Sequence, residues 1–171
     1  MPKPPEPGTP APDFAAPGTV RTDSGPLRGT YRPGERRGSP LVLVFYPGDN
    51  TPVCTRQLCS YTSELERFTD LGATVWGISP QGLDSHEQFA AQHDLRFPLL
   101  ADTDRAVARA YGVAVPGLGL RRSVFVLDAG GVVRWRHVAV TGLTFRSVDT
   151  LTEQIRSAVA ERPRGVAGGD Q

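Results

Sequence analysis

Cys54 and Cys59 are the only two cysteines among 171 residues, and they stand five positions apart. The loop before them, Pro47-Gly48-Asp49-Asn50-Thr51-Pro52, is dense in turn residues. An amphipathic segment starts where that loop ends, so Cys54 falls at the point where a loop turns into a helix. A thiol reacts as its thiolate, and the unpaired N–H groups at the positive end of a helix dipole favour that form. Thr51, three residues earlier, can bring a hydroxyl to the same place. Pro47 and Pro52 stiffen the loop. Pro47 also lacks an N–H, and its apolar ring can shield a thiolate from water.

The second cysteine adds a geometric problem. On one α-helix, residues five apart are rotated by about 140° and separated by ~7.5 Å of rise. Their Cα atoms would lie roughly 8–9 Å apart, beyond the ~7 Å limit for a disulfide. Either the two never bridge, or the helix unwinds when they do. Oxidation of one thiol to sulfenic acid, followed by condensation with the second, is the chemistry that an unwinding helix would serve. The plainer reading is a pair of small buried apolar residues. A zinc site is not expected, because C-x₄-C with three scattered histidines has no recognisable ligand spacing. The spacing also excludes a C-x-x-C oxidoreductase.

The elements around the pair follow from pattern. Leu41–Tyr46 is a run of apolar and β-branched residues and reads as a buried strand. From Cys54 to Leu71 the residues Leu58, Tyr61, Leu65, Phe68 and Leu71 repeat at helical steps, and Gly72 suits the position past the helix end. Residues 73–79 read as a second buried strand. Asp84 and Glu87 suggest a capping pair for a helix running to His93. Residues 97–100 form a short strand, and Asp102 is expected to cap a helix ending at Tyr111-Gly112. Arg122–Leu127 and Val132–Val138 form a hairpin about Asp128-Ala129-Gly130-Gly131. In its second strand Arg134 and Arg136 alternate with Val133, Trp135 and His137, giving one buried and one wet face. Val148, Leu151, Ile155 and Val159 mark a last helix. Phe14 is an aromatic anchor, and residues 18–40 read as a hairpin or loop excursion. Strands alternating with helices, then a hairpin, make a mixed central sheet with helices on both faces, a three-layer α/β/α domain over 12–161.

Bulk properties narrow the function. The formal charge of +1 offers no reason to expect nucleic acid or an anionic membrane as partner. No apolar stretch approaches the ~20 residues of a membrane span. No apolar leader opens the chain, so a cytoplasmic setting is expected. The Pro-rich 1–11 and the Gly-rich 162–171 are expected to be disordered.

At Pro47-Gly48-Asp49-Asn50-Thr51-Pro52-Val53-Cys54 the chain resembles the peroxiredoxins, whose active-site pattern is P-x-x-x-T-x-x-C. It is most similar to the Q-type branch, the bacterioferritin comigratory proteins, in which the resolving cysteine follows the peroxide-reacting one by five residues. Residues 79–112 and 122–128 (RSVFVLD) also look like that branch, so the resemblance covers about 12–155. It implies a thioredoxin-like fold and a thiol peroxidase that needs no cofactor. It further implies that Cys54 attacks the peroxide, Thr51 hydrogen-bonds it, Pro47 closes the pocket and Arg122 stabilises the developing charge. Cys59 would resolve the sulfenic acid as an intramolecular disulfide, which a thioredoxin or similar dithiol would reduce. A monomer is expected, with a dimer as the alternative. Val53 and Gln57 depart from the Gly and Glu common at those positions in the branch. Arg121 adjoins Arg122, and strand alternation with the R-S-V-F run favours Arg122. Rival readings are a one-cysteine peroxidase with Cys59 a bystander and a peroxide sensor that uses the same disulfide.

The remaining candidates have plain readings. His86, His93 and His137 share no motif and are expected to be solvated or packed. Trp76 and Trp135 are expected in the core. Arg28, Arg32, Arg36 and Arg37 read as a solvated loop, and Leu118 and Leu120 as a rim of the active site.

Overall fold

The computed structural model describes residues 2–117, 119–139 and 145–160. In order, the elements are β1 (Ala16–Thr22), β2 (Gly25–Tyr31), a 3₁₀ turn (Pro33–Arg36), β3 (Leu41–Phe45), α1 (Pro52–Ser63), α2 (Leu65–Asp70) and β4 (Thr74–Ser79). Then come α3 (Leu83–His93), β5 (Leu99–Ala101), α4 (Ala106–Ala110), β6 (Ala114–Val115), β7 (Gly119–Leu120), β8 (Ser123–Leu127), β9 (Val133–Val138) and α5 (Val148–Ala160). Seven strands form one sheet in the order β2-β1-β5-β4-β3-β8-β9, while β6 and β7 pair separately. The β3–β4 and β4–β5 pairs are parallel and the others antiparallel, as expected for a mixed sheet. None of the described helices is long and apolar enough to cross a membrane.

β3 lies between β4 and β8 and is buried along its whole length. Its side chains alternate between two cores, as the pleat requires. Val42, Val44 and Tyr46 join Leu58 and Tyr61 of α1, Phe68 of α2, Phe89 of α3 and Ile155 of α5. Leu41, Leu43 and Phe45 join Trp76, Val107 and Ala108 of α4, and Tyr111. Phe14 anchors the chain start against this second core, edge-on to Trp76 and Tyr111 at 6.5 and 6.0 Å between ring centres. The 18–40 excursion contains a hairpin, with β1 and β2 joined through Asp23-Ser24 and β1 added to the sheet beside β5.

Several elements differ from the sequence expectation. The single helix over 54–71 is two helices, broken at Glu64 (φ −112°, ψ 20°). The helical stripe continues in register across the break, and Phe68 meets Tyr61 edge-on at 6.2 Å. Asp84 does not cap α3. The helix starts after Gly82, and Arg28 of β2 takes both carboxylates, Asp84 at 2.6 Å and Glu87 at 2.6 Å. Asp102 does cap, from a distance: its oxygens accept the N–H groups of Val107 and Ala108 at 3.0 and 2.8 Å.

The expectation of a disordered 1–11 is corrected for residues 2–11, which lie along the edge strand β9. Gly8 N donates to Val133 O at 2.7 Å, Val133 N to Thr9 O and Ala11 N to Gly131 O, both at 2.9 Å. Prolines lack N–H groups but keep their carbonyls, and Arg136 donates to those of Pro4 and Pro5 at 2.6 and 3.1 Å. Polar composition suggested a free tail, but an unpaired strand edge needs covering. For the same reason the Arg134/Arg136 face is not wet. Arg136 lies under this strap, and Arg134 pairs with the buried Asp128 at 2.6 Å. The expected tail 162–171 lies outside the described residues.

Candidate active site

The site forms where β3 ends. Tyr46 is still fully buried, and the chain then turns outward through an exposed Pro47. Asn50 takes a left-handed conformation (φ 60°), one that short polar side chains tolerate and most others do not. Thr51 returns to extended backbone (φ −79°, ψ 146°) and caps α1, its carbonyl accepting Thr55 N at 2.9 Å. The Thr51 hydroxyl donates to Gly48 O at 3.3 Å and is otherwise at the surface. Pro52 occupies the first helical position, where a missing N–H costs nothing.

Cys54 is the third residue of α1 and has no solvent-accessible surface. Arg122, the residue before β8, is 3% exposed and reaches across to it, donating Nη2 to Cys54 Sγ at 3.0 Å. Its Nη1 donates to Gln57 Oε1. Gln57 Nε2 donates to Tyr61 OH at 3.3 Å, and Tyr61 OH to the carbonyl of Arg146 at 2.7 Å. Burial pushes the Tyr61 phenol up to about 12, so it stays a donor. Gln57 thus supplies an acceptor to the cation without a charge. Arg121 is exposed; its backbone N donates to Val113 O at 2.7 Å and its carbonyl accepts from Ser123 Oγ at 3.0 Å.

Cys59 is half-buried, and both cysteines are free thiols. Desolvation pushes the Cys59 thiol up. α1 runs unbroken from Pro52 to Ser63, so the two share one helix. Val53 is half-buried in its first turn. Leu118 lies outside the described residues. Leu120 is no rim residue: it is buried in the second core, whereas Cys54 belongs to the first.

A second cluster beneath the loop was not legible in the sequence. Asp49 is buried, and its carboxylate accepts Tyr46 OH on Oδ1 at 2.7 Å and Ser85 Oγ on Oδ2 at 2.7 Å. His86 Nδ1 lies 2.8 Å from the same Oδ2, and its Nε2 lies 3.0 Å from the carbonyl of Leu100. Asp49 N donates to Gln81 Oε1. Burial, with the Asp49 charge beside it, holds the Tyr46 phenol well above its usual range. His86 is therefore neither solvated nor merely packed, because it is fully buried and hydrogen-bonded at both nitrogens. Thirty-seven positions separate it from Asp49, and no spacing rule joins them. His93 packs on Phe89 at 5.3 Å. His137 accepts from Arg146 Nε at 3.3 Å and stacks on the half-buried Trp135. Among the described residues no group of three or more His, Cys, Asp or Glu could hold a metal.

Residues 7–136 match the AhpC/TSA family. Peroxiredoxin Bcp of Bacillus subtilis is 32% identical over 133 residues, covering 72% of this chain and 85% of that one. The chloroplastic peroxiredoxin Q of Sedum lineare is 40% identical over 104 residues, 57% of this chain. The chain spans about half the length of that chloroplastic relative, 54%. A peroxiredoxin Q structure from Xanthomonas campestris superposes with a TM-score of 0.71 at 28% identity, over 82% of this chain and 89% of that one. AhpC of Mycobacterium tuberculosis shares the fold at a TM-score of 0.79 and 22% identity, over 89% and 92% of the two chains. The three-layer α/β/α architecture is thus thioredoxin-like, and the chain belongs to the AhpC/TSA family, with sequence relatives in its Q-type, bacterioferritin-comigratory branch.

Proposed function

We propose that this chain is a thiol peroxidase that reduces hydrogen peroxide and organic hydroperoxides through Cys54. The observation that carries the reading is the Arg122 guanidinium 3.0 Å from the Cys54 sulfur at the start of α1. The cation lies against the sulfur that reacts, and it faces the charge that develops on the peroxide oxygens. The thiolate attacks one peroxide oxygen and the O–O bond breaks. Cys54 becomes a sulfenic acid, and the other oxygen leaves with a proton as water or alcohol. The Thr51 hydroxyl orients the peroxide, and Pro47 limits access of water.

Cys59 then attacks the sulfenic sulfur, a disulfide forms and water is released. A thioredoxin-type dithiol returns both cysteines to thiols and is itself oxidised to a disulfide. The protein works as a cytoplasmic monomer. The decisive test is stopped-flow oxidation by hydrogen peroxide. Fast oxidation of the wild type is expected to vanish in Cys54→Ser, and oxidation that survives there overturns the proposal. Mass spectrometry after one equivalent of peroxide tests Cys59. The disulfide removes two hydrogens, whereas a product that only gains oxygen makes Cys59 a bystander.

A further inference from the structure

We propose that Asp49 and His86 are positioning residues for the peroxide reaction. His86 holds Asp49, and Asp49 holds the loop that places Thr51 and the start of α1. The inference rests on the reading of Cys54 as the peroxide-reacting thiol and adds two residues outside that chemistry.

The loop between β3 and α1 is short and contains a left-handed turn at Asn50 (φ 60°). Such backbone persists where its surroundings over-determine it. Asp49, the neighbouring residue, is the point where this happens. Its backbone N–H is taken by Gln81, and its carboxylate faces the Tyr46 hydroxyl, the Ser85 hydroxyl and His86 Nδ1. Gln81 and Ser85–His86 flank and begin α3, so one loop residue is tied to an element that contributes nothing else to the site. Thr51, by contrast, has one hydrogen bond from its side chain, to Gly48 within the same loop. Its position is therefore inherited from Asp49.

His86 is in turn fixed to the sheet, because Nε2 meets the carbonyl of Leu100, and β5 pairs with β4 at that residue. Both imidazole nitrogens thus face acceptors. One nitrogen therefore ties the ring to the loop and the other ties it to the sheet. The pair is a buried, fully satisfied link from sheet to loop. A link of this kind imposes geometry, since both partners are buried away from water and every hydrogen bond they make runs to a fixed element.

The test uses the reduced full chain and two rates for Cys54. Peroxide oxidation reads the positioned pocket, and alkylation by iodoacetamide reads only the thiol and its access. In His86→Leu, oxidation is expected to slow roughly 10- to 100-fold, as for a reacting group displaced by about an ångström. Alkylation should stay within about threefold of wild type, because Arg122 and α1 still hold the sulfur. His86→Asn, whose amide nitrogen takes the place of Nδ1, should recover most of the lost rate. Oxidation of His86→Leu within about twofold of wild type overturns the inference, and so does alkylation that changes by as large a factor as oxidation. If His86→Leu does not fold, Asp49→Asn decides the matter by the same comparison of rates. Loss of the parent reading looks different, because Cys54→Ser would then still be oxidised.

Discussion

Forming the Cys54–Cys59 disulfide should open the first half of α1, and the cost can be worked from its contacts. On an intact helix the two Cα atoms are roughly 8–9 Å apart, against a disulfide limit of ~7 Å. Opening residues 54–59 breaks the hydrogen bonds from Arg122 to Cys54 and to Gln57 and removes Leu58 from the core. A hydrogen bond to a charged group contributes about 1.5–3 kcal/mol and a buried leucine about 1.5–3 kcal/mol. Neighbouring contacts are not additive, so the opening costs about 5 kcal/mol in the reduced protein. Amide hydrogens of 54–59 should then exchange about a thousand- to ten-thousand-fold more slowly than in an unfolded chain. Hydrogen–deuterium exchange read by mass spectrometry on a peptide spanning 52–63 measures this directly. One equivalent of peroxide should abolish that protection in wild type and leave it in Cys59→Ser. If the treated protein carries the 54–59 disulfide and the peptide stays protected, the helix geometry argument is wrong.

Three further outcomes follow from single contacts. Arg122→Met removes a charge-assisted hydrogen bond to sulfur, and peroxide oxidation should slow about 10- to 150-fold for a loss of about 1.5–3 kcal/mol; a loss under about threefold would remove Arg122 from the reaction. Burial raises the Cys59 thiol, so in Cys54→Ser its alkylation should rise with pH at a higher pH than in an unfolded control. Coincident curves would refute that. Asp102→Ala strips two N–H groups at α4 of their acceptor. Stability should fall by about 1–2 kcal/mol, with a thermal midpoint a few degrees lower.

The elements best read from sequence were those whose pattern reports burial directly. β3 is apolar on both faces because both faces are covered, and α5 shows its stripe because one face is covered. The errors came where a distant partner decided. Arg28, on a strand 56 positions from Asp84, takes the carboxylate that local rules assign to a cap. The strap at 2–11 is proline-rich and polar, yet the edge of β9 and the Arg136 guanidinium give its carbonyls and N–H groups a place to bond. Composition describes what a segment lacks in isolation, not what a neighbouring strand edge offers it.

The same division runs through the site. Pro47, Thr51, Cys54 and Cys59 lie within one short stretch, so their order along the chain already carries their geometry. Arg122 is far away in sequence and stands just before β8, where the R-S-V-F run pointed to it: it is buried against Cys54, and its neighbour Arg121 is exposed. Asp49 and His86 have no such rule. Asp49 in a turn-rich loop looks like an ordinary turn former, and His86 on α3 looks like a surface histidine until the sheet brings Leu100 O to one side of it and Asp49 to the other. A buried acid and a buried histidine are each costly alone and acceptable only together. Their joint burial is therefore stronger grounds for a role than the identity of either, and only the fold can supply it.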